Sequence, residues 1–276
     1  MSSDTLFTKL MTHFVLLIGV IISVFPFYWL IVMATNTTSD ILRFPPKLTF
    51  GSELFANVTN VLGSIDFYQA FFNTLFVSSV NVIGVLFFCS LAGFTFAKFT
   101  FPGKNLLFAA LLLTMMIPSQ MSFVPSFLLI AEFGWVDSYK ALIIPGLASA
   151  FGIFWIRQFC QDAVPDELLE AGRLDGCNTF RLYWNVALPS LRPALTFLGI
   201  FTFIGVWNDY LWPLVTINSP NRYTLQVMLA QLNGVYDTDY AIIMTGTLMA
   251  TIPLIILFVI FSKQFIAGVA EGAVKE

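Results

Sequence analysis

Charged residues are scarce in this 276-residue chain. Asp, Glu, Lys and Arg together make up 11% of it, against about 25% in a soluble globular protein. Hydrophobic residues make up 58%, and the mean hydropathy is +0.83. The formal net charge of −3 leaves no excess of cations that could bind nucleic acid. This composition predicts an integral membrane protein that contacts lipid, and it argues against a nucleic-acid partner.

Side chains that carry out chemistry are also few. The single histidine, His13, lies near the start of an apolar run and offers no Ser/His/Asp set. No cluster of His, Cys, Asp and Glu has the spacing of a metal site. The cysteines show no paired spacing and are predicted to be structural thiols; they are Cys89, Cys160 and Cys177. We therefore predict a protein that is not itself an enzyme and holds no metal.

The chain lacks a nucleotide-binding loop of the G-x-x-x-x-G-K-[ST] type. Its Gly103-Lys104 pair is followed by Asn105 instead of Ser or Thr. No cofactor is therefore expected in this chain.

Long apolar runs are abundant. Six of them are long enough to span a bilayer as helices. They cover about residues 10–34, 71–97, 105–131, 140–160, 193–217 and 240–261. The first run is longer than the apolar core of a signal peptide and has no small-residue cleavage site near its end, so we count it as a membrane helix. The predicted fold is all-α: a single polytopic domain over residues 1–276 with six transmembrane helices.

The distribution of Lys and Arg orients these helices. With six spans both termini lie on one side, and nine of the 13 Lys and Arg residues fall there. They are Lys9, Lys98, Lys104, Arg157, Arg173, Arg181, Arg192, Lys263 and Lys275. The positive-inside rule places this side in the cytoplasm. We therefore predict a multi-pass protein with both termini cytoplasmic.

A polar stretch, residues 164–193, lies between the fourth and fifth runs on the cytoplasmic side. Its charges keep it out of the bilayer, since each one costs about 2.5–3.5 kcal/mol at mid-membrane. The alternative is an amphipathic helix lying on the lipid surface. The first short helix predicted in this stretch carries mostly acidic charge, whereas lipid-surface helices are usually rich in Lys and Arg, so the lipid-surface alternative is disfavoured.

Two short helices are predicted within this stretch. Pro165 suits the start of the first helix, and Gly176 suits the left-handed conformation that ends it. The second helix is predicted to start with Asn178 or Thr179 as its N-cap. It would place the following residues on one face: Phe180, Tyr183, Trp184 and Ala187.

A motif in this stretch resembles the EAA loop of the permease subunits of binding-protein-dependent ABC importers. It reads Glu170-Ala171-Gly172, three residues, Gly176, nine residues, Val186, one residue, and Leu188-Pro189. The family pattern usually has Ala at Gly172 and Ile at Val186, so both departures keep the size class of the residue. In that family the loop is the coupling helix, which docks into a cleft on a cytoplasmic ATPase subunit.

The resemblance implies which residues couple this chain to an ATPase. The candidate coupling residues are Glu170, Ala171, Gly172, Asp175, Gly176, Leu188 and Pro189. The small residues among them let a helix backbone approach a partner closely, while Glu170 and Asp175 supply charge for orientation. The small-residue tail after Lys263 is a further expected contact with the ATPases.

Motifs elsewhere extend the resemblance over nearly the whole chain. They are Asn73-Thr74-Leu75, Phe101-Pro102-Gly103-Lys104, Met116-Ile117-Pro118, Trp207-Asn208-Asp209-Tyr210-Leu211-Trp212-Pro213-Leu214, and Phe265-Ile266-Ala267-Gly268 with Gly272-Ala273-Val274-Lys275. They are similar to the carbohydrate-uptake branch of the family, the MalG-type six-helix permeases. The resemblance implies the type I importer fold in a prokaryotic cytoplasmic (inner) membrane. It implies as partners a second permease subunit of similar fold, two ATP-binding cassette subunits that hold ATP and magnesium, and an extracytoplasmic solute-binding protein.

The third apolar run is the most polar of the six. Ser119, Gln120 and Ser122 follow Pro118 there, and broken helices are tolerated at depth where a water-filled cavity satisfies the backbone. We expect these three side chains to line a solute pathway. Helix packing through small residues is the alternative.

Asp209 is the acid that falls within an apolar run. Its distance of about 24 Å along the helix from Pro193 places it near the outer interface. Acids in membrane helices are functional candidates by default. We expect Asn208 and Asp209 to form an anchor or gate rather than a proton relay.

The predicted function is that of the membrane-spanning subunit of an ATP-driven importer, which translocates a sugar or oligosaccharide by alternating access. One alternative is an ABC permease for a polyamine, an amino acid or a sugar phosphate. The other is an ion-coupled secondary transporter, which would be expected to show ionisable residues at mid-membrane and an internal repeat.

Overall fold

The computed structural model describes residues 6–234 and 238–273, except for the side chains of residues 6, 7, 119 and 263–273. All regular structure in these residues is helical, which confirms the all-α prediction. The chain forms two compact units. The first comprises Met1–Phe67 and Leu229–Ile252, and the second comprises Tyr68–Met228 and Pro253–Glu276.

The helices in chain order are α1 (Leu6–Ala34), α2 (Thr38–Leu42), α3 (Leu54–Ser64), α4 (Phe67–Lys98), α5 (Lys104–Met115), α6 (Phe123–Glu132), α7 (Tyr139–Ile143), α8 (Ala150–Ala163), α9 (Asp166–Leu174), α10 (Thr179–Leu182), α11 (Leu188–Ser190), α12 (Arg192–Trp207), α13 (Leu211–Thr216), α14 (Leu225–Ala230) and α15 (Tyr240–Ala273). Short 3₁₀ turns occur at Ser119–Ser122, Ile144–Gly146 and Pro220–Arg222, and a π turn at Tyr183–Ala187 joins α10 to α11.

The described residues contain four to six candidate membrane spans. Four helical segments are long and apolar enough to span by themselves: Thr8–Ala34, Phe67–Lys98, Tyr139–Ala163 and Tyr240–Ser262. Two bent pairs bring the number to six if each pair is one span. The pairs are Lys104–Met115 with Gln120–Glu132, bent by 94°, and Thr179–Ser190 with Arg192–Trp207, bent by 79°.

The third predicted span, residues 105–131, differs from the structure because it is not one continuous helix. α5 ends at Met115, a 3₁₀ turn covers Ser119–Ser122, and α6 begins at Phe123. Pro118 lies in the gap, where its missing N–H and its ring are incompatible with a helix interior. Pro125 is tolerated because it falls in the first turn of α6.

The fourth and fifth predicted spans are interrupted as well. Pro145 lies in the 3₁₀ turn between α7 and α8, and Ser149 then caps α8 by accepting a hydrogen bond from the Gly152 amide at 3.3 Å. In the fifth span, α12 ends at Trp207 and α13 begins only at Leu211. The apolar runs therefore mark the spans without showing where their helices break.

The core of the second unit joins membrane helices to the polar stretch after α8. Its buried side chains from the membrane helices are Val85, Cys89, Phe94, Ile153, Ile156, Cys160, Ala194 and Leu198, and those from the polar stretch are Val164, Leu169, Leu182, Tyr183, Ala187 and Leu191. For the part outside lipid, burying a side chain such as Leu182 stabilises the fold by about 1.5–3 kcal/mol. The polar stretch is therefore anchored and not a loose loop.

In the first unit, side-chain amides and hydroxyls donate hydrogen bonds to backbone carbonyls at the end of α1. Asn57 Nδ2 donates to the carbonyls of Ala34 (3.0 Å) and Asn36 (3.1 Å), and Thr245 Oγ1 donates to Ala34 at 3.3 Å. The last carbonyls of a helix lack intrahelical partners, so these bonds remove a cost that buried backbone would otherwise carry.

In the second unit, Asn73 and Asp137 hold the connection that follows α13. Asn73 Nδ2 donates to the carbonyls of Asn221 and Tyr223, both at 3.0 Å. The Asp137 carboxylate accepts hydrogen bonds from the Ser219 amide (2.9 Å) and hydroxyl (2.5 Å), and it forms an ion pair with Arg222 at 2.9 Å. Asp137 has φ 58°, a left-handed conformation that Asp tolerates better than most residues.

These contacts lower the pKa of Asp137. Hydrogen bonds from the Ser219 hydroxyl and amide and from the Asn218 amide, together with the charge of Arg222, lower it from 3.8 to about 2. The ionised form therefore contributes stability that is present above pH 3.8 and lost as the pH falls through about 2.

We predict that Asp137→Ala will loosen this connection at neutral pH, because the Ser219 and Asn218 amides lose their acceptor. Hydrogen exchange at these two amides is the measurement, and a clear increase is expected. Asp137→Asn is the matched control, since Asn also tolerates the left-handed conformation and keeps one acceptor oxygen. Equal protection in the Ala variant and the wild type would contradict the prediction.

Candidate coupling surface and solute pathway

The first helix of the polar stretch, α9, has the ends that its sequence predicts. Asp166 and Glu167 lie in its first turn and Arg173 in its last, each favourable to the helix dipole. Gly176 follows with φ +82°, the left-handed conformation that reverses the chain direction. A Cβ at Gly176 would meet no atom of the chain within 4 Å.

The second helix starts as predicted but distributes its aromatic residues differently. Asn178 is the N-cap and accepts a hydrogen bond from the Arg181 amide at 2.9 Å. The predicted common face of four residues is wrong: Tyr183 and Ala187 are buried, whereas Phe180 and Trp184 are 61% and 54% exposed and stack on each other at 6.2 Å. Residues four positions apart share a face, so Phe180 lies beside Trp184 and Tyr183 beside Ala187. The second of these two pairs faces the core.

Three contacts fix the polar stretch to α4 and to itself. The Tyr183 hydroxyl lies 2.7 Å from Ser90 Oγ of α4, within hydrogen-bond distance. Lys98 Nζ, at the end of α4, pairs with Asp166 Oδ1 at 2.9 Å. A Cβ at Gly172 would lie 2.6 Å from Leu182 Cδ2, so the missing side chain of Gly172 lets α9 approach α10 closely.

The candidate coupling residues lie on the outward side of this anchored stretch. Glu170, Ala171, Asp175, Gly176 and Pro189 are exposed, and Gly172 and Leu188 are half-buried. Leu174, which we did not single out from the sequence, is 90% exposed beside them. We name these eight residues, with Phe180 and Trp184, the coupling surface. Large apolar side chains within a polar stretch are the signal that indicates the three additional residues.

The breaks in the third and fifth spans come close together. The ring of Phe123, at the start of α6, packs edge-on against that of Trp212 in α13 with 5.3 Å between centroids. The Trp212 amide in turn donates to Asp209 Oδ1 at 3.4 Å. The pathway candidates Gln120, Ser122 and Asn208 are exposed and Asp209 is half-buried, while the side chain of Ser119 lies outside the described part.

Asp209 borders a small cavity of about 40 Å³, large enough for one water molecule. Thr74 and Thr224 also line it. The Thr224 hydroxyl is buried and has no hydrogen-bond partner within the described residues. These groups suit an anchoring role for Asp209.

A larger cleft of about 400 Å³ lies between α4, the turn before α8, and α12. Its polar side chains are Asn81, Ser149 and Thr202, and Phe151 and Phe201 contribute aromatic rings. All of the side chains that line it are uncharged. We did not predict this cleft, although Pro145-Gly146 in an apolar run is a signal of the broken helix that forms one wall.

Residues 86–270 match the family model of the binding-protein-dependent transport system inner membrane component. This chain belongs to that family. The matched region contains the coupling surface and the cleft wall formed by α8 and α12. Its EAA-like motif is therefore that of a transporter permease.

Relatives of this permease resemble it over nearly the full length of both chains. The lactose transport system permease protein of Rhizobium radiobacter is 33% identical over 261 residues, covering 95% of this chain and 94% of that protein. The arabinooligosaccharides transport system permease protein of Bacillus subtilis is 32% identical over 255 residues, covering 91% and 90%. The sn-glycerol-3-phosphate transport system permease protein of Agrobacterium fabrum is 30% identical over 272 residues, covering 95% and 96%.

A solved structure shares the permease fold. It belongs to a bacterial ABC transporter involved in the import of the acidic polysaccharide alginate. It superposes with a TM-score of 0.83 at 21% identity and covers 96% of this chain and 99% of that one. The fold predicted for an ABC importer permease is therefore confirmed.

We predict that Ser122→Cys will react with a charged, water-soluble thiol reagent in the assembled transporter, because an exposed position on a pathway contacts water and one facing lipid does not. Labelling in proteoliposomes with and without ATP is the measurement. Ile130→Cys, at a buried position on α6, is the matched control and should stay unlabelled. Absence of labelling at Ser122→Cys in every transport state would favour helix packing instead.

Proposed function

We propose that this permease carries a neutral sugar or oligosaccharide across the cytoplasmic membrane by alternating access. It does so together with a second permease of similar fold, two ATP-binding cassette subunits that hold ATP and magnesium, and an extracytoplasmic solute-binding protein. The coupling surface is the observation that supports this proposal most, because it exposes the EAA-like motif on a stretch packed into the core of the membrane helices.

Energy enters through the coupling surface. ATP binding closes the ATPase dimer, and this movement displaces α9 and α10. These two helices share a core with α4, α8 and α12. A close-packed core transmits such a displacement because it deforms little. The membrane helices therefore follow the ATPases between two states, and ATP binding at one site biases access at another.

The orientation of the chain follows from the same proposal. The coupling surface must face the cytoplasm, which places both termini there, in accord with the Lys and Arg distribution. The tail is a further candidate for ATPase contact: α15 extends to Ala273, but its side chains from residue 263 onward and residues 274–276 lie outside the described part.

The choice of solute rests on the cleft. A phosphorylated solute would be expected to meet Arg or Lys, which bind phosphate through charge-assisted hydrogen bonds. The cleft instead offers the amide of Asn81, the hydroxyls of Ser149 and Thr202, and two phenylalanine rings. This lining favours a neutral carbohydrate. A relative named for sn-glycerol-3-phosphate transport makes a small phosphorylated solute, such as a polyol phosphate or a sugar phosphate, the second candidate.

We predict that Gly176→Arg will insert normally but will abolish transport, because a long side chain would obstruct the approach of the ATPase. The tagged permease is purified from gently solubilised membranes, and the stoichiometry of co-purified ATPase is measured along with uptake. The wild type should bring down two ATPase copies and one different permease.

Gly176→Asn is the matched control for this variant. Asn tolerates the left-handed conformation, whereas most side chains there cost about 1–2 kcal/mol, so strain and obstruction are separated. We expect Gly176→Asn to retain most of the ATPase and of the uptake. Full uptake by Gly176→Arg would rule out docking at this position.

We predict that Thr202→Val will raise the KM for uptake about two- to tenfold, the effect of one lost hydrogen bond to a sugar hydroxyl. Thr196→Val in the same helix is the control, because its hydroxyl is occupied by the Arg192 carbonyl at 2.9 Å. ATPase stimulation by the loaded binding protein is measured in parallel. Unchanged KM with normal ATPase activity would place solute recognition elsewhere.

A further inference from the structure

The positive charge of Arg157 in α8 is only partly compensated by neighbouring groups. Its guanidinium carbon lies 4.0 Å from the centre of the Phe108 ring in α5, a cation–π contact. Its Nε is buried and has no hydrogen-bond partner within the described residues. The ion pairs of that part of the chain involve other cations: Lys47, Lys98 and Arg222. Since Arg stays protonated in proteins, the site requires an acceptor.

The position of Arg157 along α8 indicates where this acceptor lies. Ala163, the last residue of the helix, lies six positions after Arg157, a distance of about 9 Å. A long side chain at this depth reaches toward the headgroup region. Phe108 lies one turn into α5. In the topology predicted from the Lys and Arg distribution, the start of α5 and the end of α8 both lie on the cytoplasmic side, which places both partners at the same boundary between hydrocarbon and headgroups.

A second cation and a helix end reinforce the positive potential. Lys104 opens α5 one turn before Phe108 and on the same face, and its Nζ donates to the Phe99 carbonyl at 2.8 Å. The N-cap of α5 is Gly103, which has no side chain to cap the helix, and the first turn contains no acid. The positive end of the helix dipole is therefore not neutralised by α5 itself.

We infer that Arg157 and Lys104 bind the phosphate of an anionic phospholipid between α5 and α8. A guanidinium fork matches phosphate oxygens in a bidentate manner, and basic pockets between membrane helices bind anionic headgroups. The acyl chains would lie along the exposed apolar side of α5, where Leu106 and Leu107 face outward. The phosphate would bind the two terminal nitrogens of the guanidinium, because Nε itself is buried. The contact with the Phe108 ring limits the movement of the guanidinium.

The test uses the whole transporter, purified through a tag on this chain and stripped of lipid in detergent. Phosphatidylglycerol or phosphatidylcholine is added back, and the bound lipid is counted by native mass spectrometry. The wild-type transporter should retain phosphatidylglycerol in preference to phosphatidylcholine. Arg157→Gln should bind it about tenfold more weakly, the loss of one charge-assisted contact, and Arg157→Lys should lose less.

Arg192→Gln is the matched control, because Arg192 is an exposed cation at the first position of α12. It should leave phosphatidylglycerol binding unchanged. If the Arg157→Gln transporter does not assemble, Lys104→Gln and Phe108→Leu are tested in its place. Both variants should weaken phosphatidylglycerol binding.

Several results would overturn the inference. One is wild-type lipid preference in Arg157→Gln, or in both Lys104→Gln and Phe108→Leu. Another is equal competition by inorganic phosphate at matched concentration, which would indicate a free-anion site. A third is loss of a partner subunit from Arg157→Gln with lipid binding unchanged, which would identify a protein carboxylate as the acceptor.

Discussion

The core shared by the polar stretch and three membrane helices is the interaction on which this permease depends. Leu182, Tyr183 and Leu191 enter the same buried cluster as residues of α4, α8 and α12. A polar segment beside a bilayer would otherwise be free to slide over the headgroups. Burial on one side and exposure on the other make it a rigid part of the membrane domain that still presents a surface to a soluble partner. In the proposed function, force applied to this surface outside the membrane would therefore reach helices within it.

Backbone hydrogen bonding is the second constraint, because lipid offers no partner for a broken helix. The permease places its breaks where side chains replace the lost bonds. Ser149 caps the helix after Pro145, and Asn73 and Asp137 satisfy the connection after α13. The cleft beside Asn81 lies next to one of these breaks, the turn that contains Pro145.

Local rules of sequence predicted local features well. Gly176 ends a helix and Asn178 begins one because each residue satisfies a need of its immediate neighbours. Apolar runs predicted the spans, and Pro118 indicated the break in the third one. The break near Asn208 was not placed, because hydropathy averages over a whole window. The bond between Asp137 and Ser219 joins residues 82 positions apart, and no local pattern indicates it. Burial of Tyr183 and exposure of Phe180 likewise depend on the tertiary packing that selects one face.

The π turn at Tyr183–Ala187 changes the direction in which the residues after it point about the helix axis. Leu188 N donates to the carbonyl of Tyr183, five residues earlier, so this turn contains one residue more than an α-helical turn. One residue corresponds to about 100° of rotation about the helix axis. The extra residue thus sets the angle between Phe180, before the turn, and Pro189, after it. The π turn therefore fixes the relative direction of these two residues of the coupling surface, while Tyr183 and Ala187 within the turn stay buried.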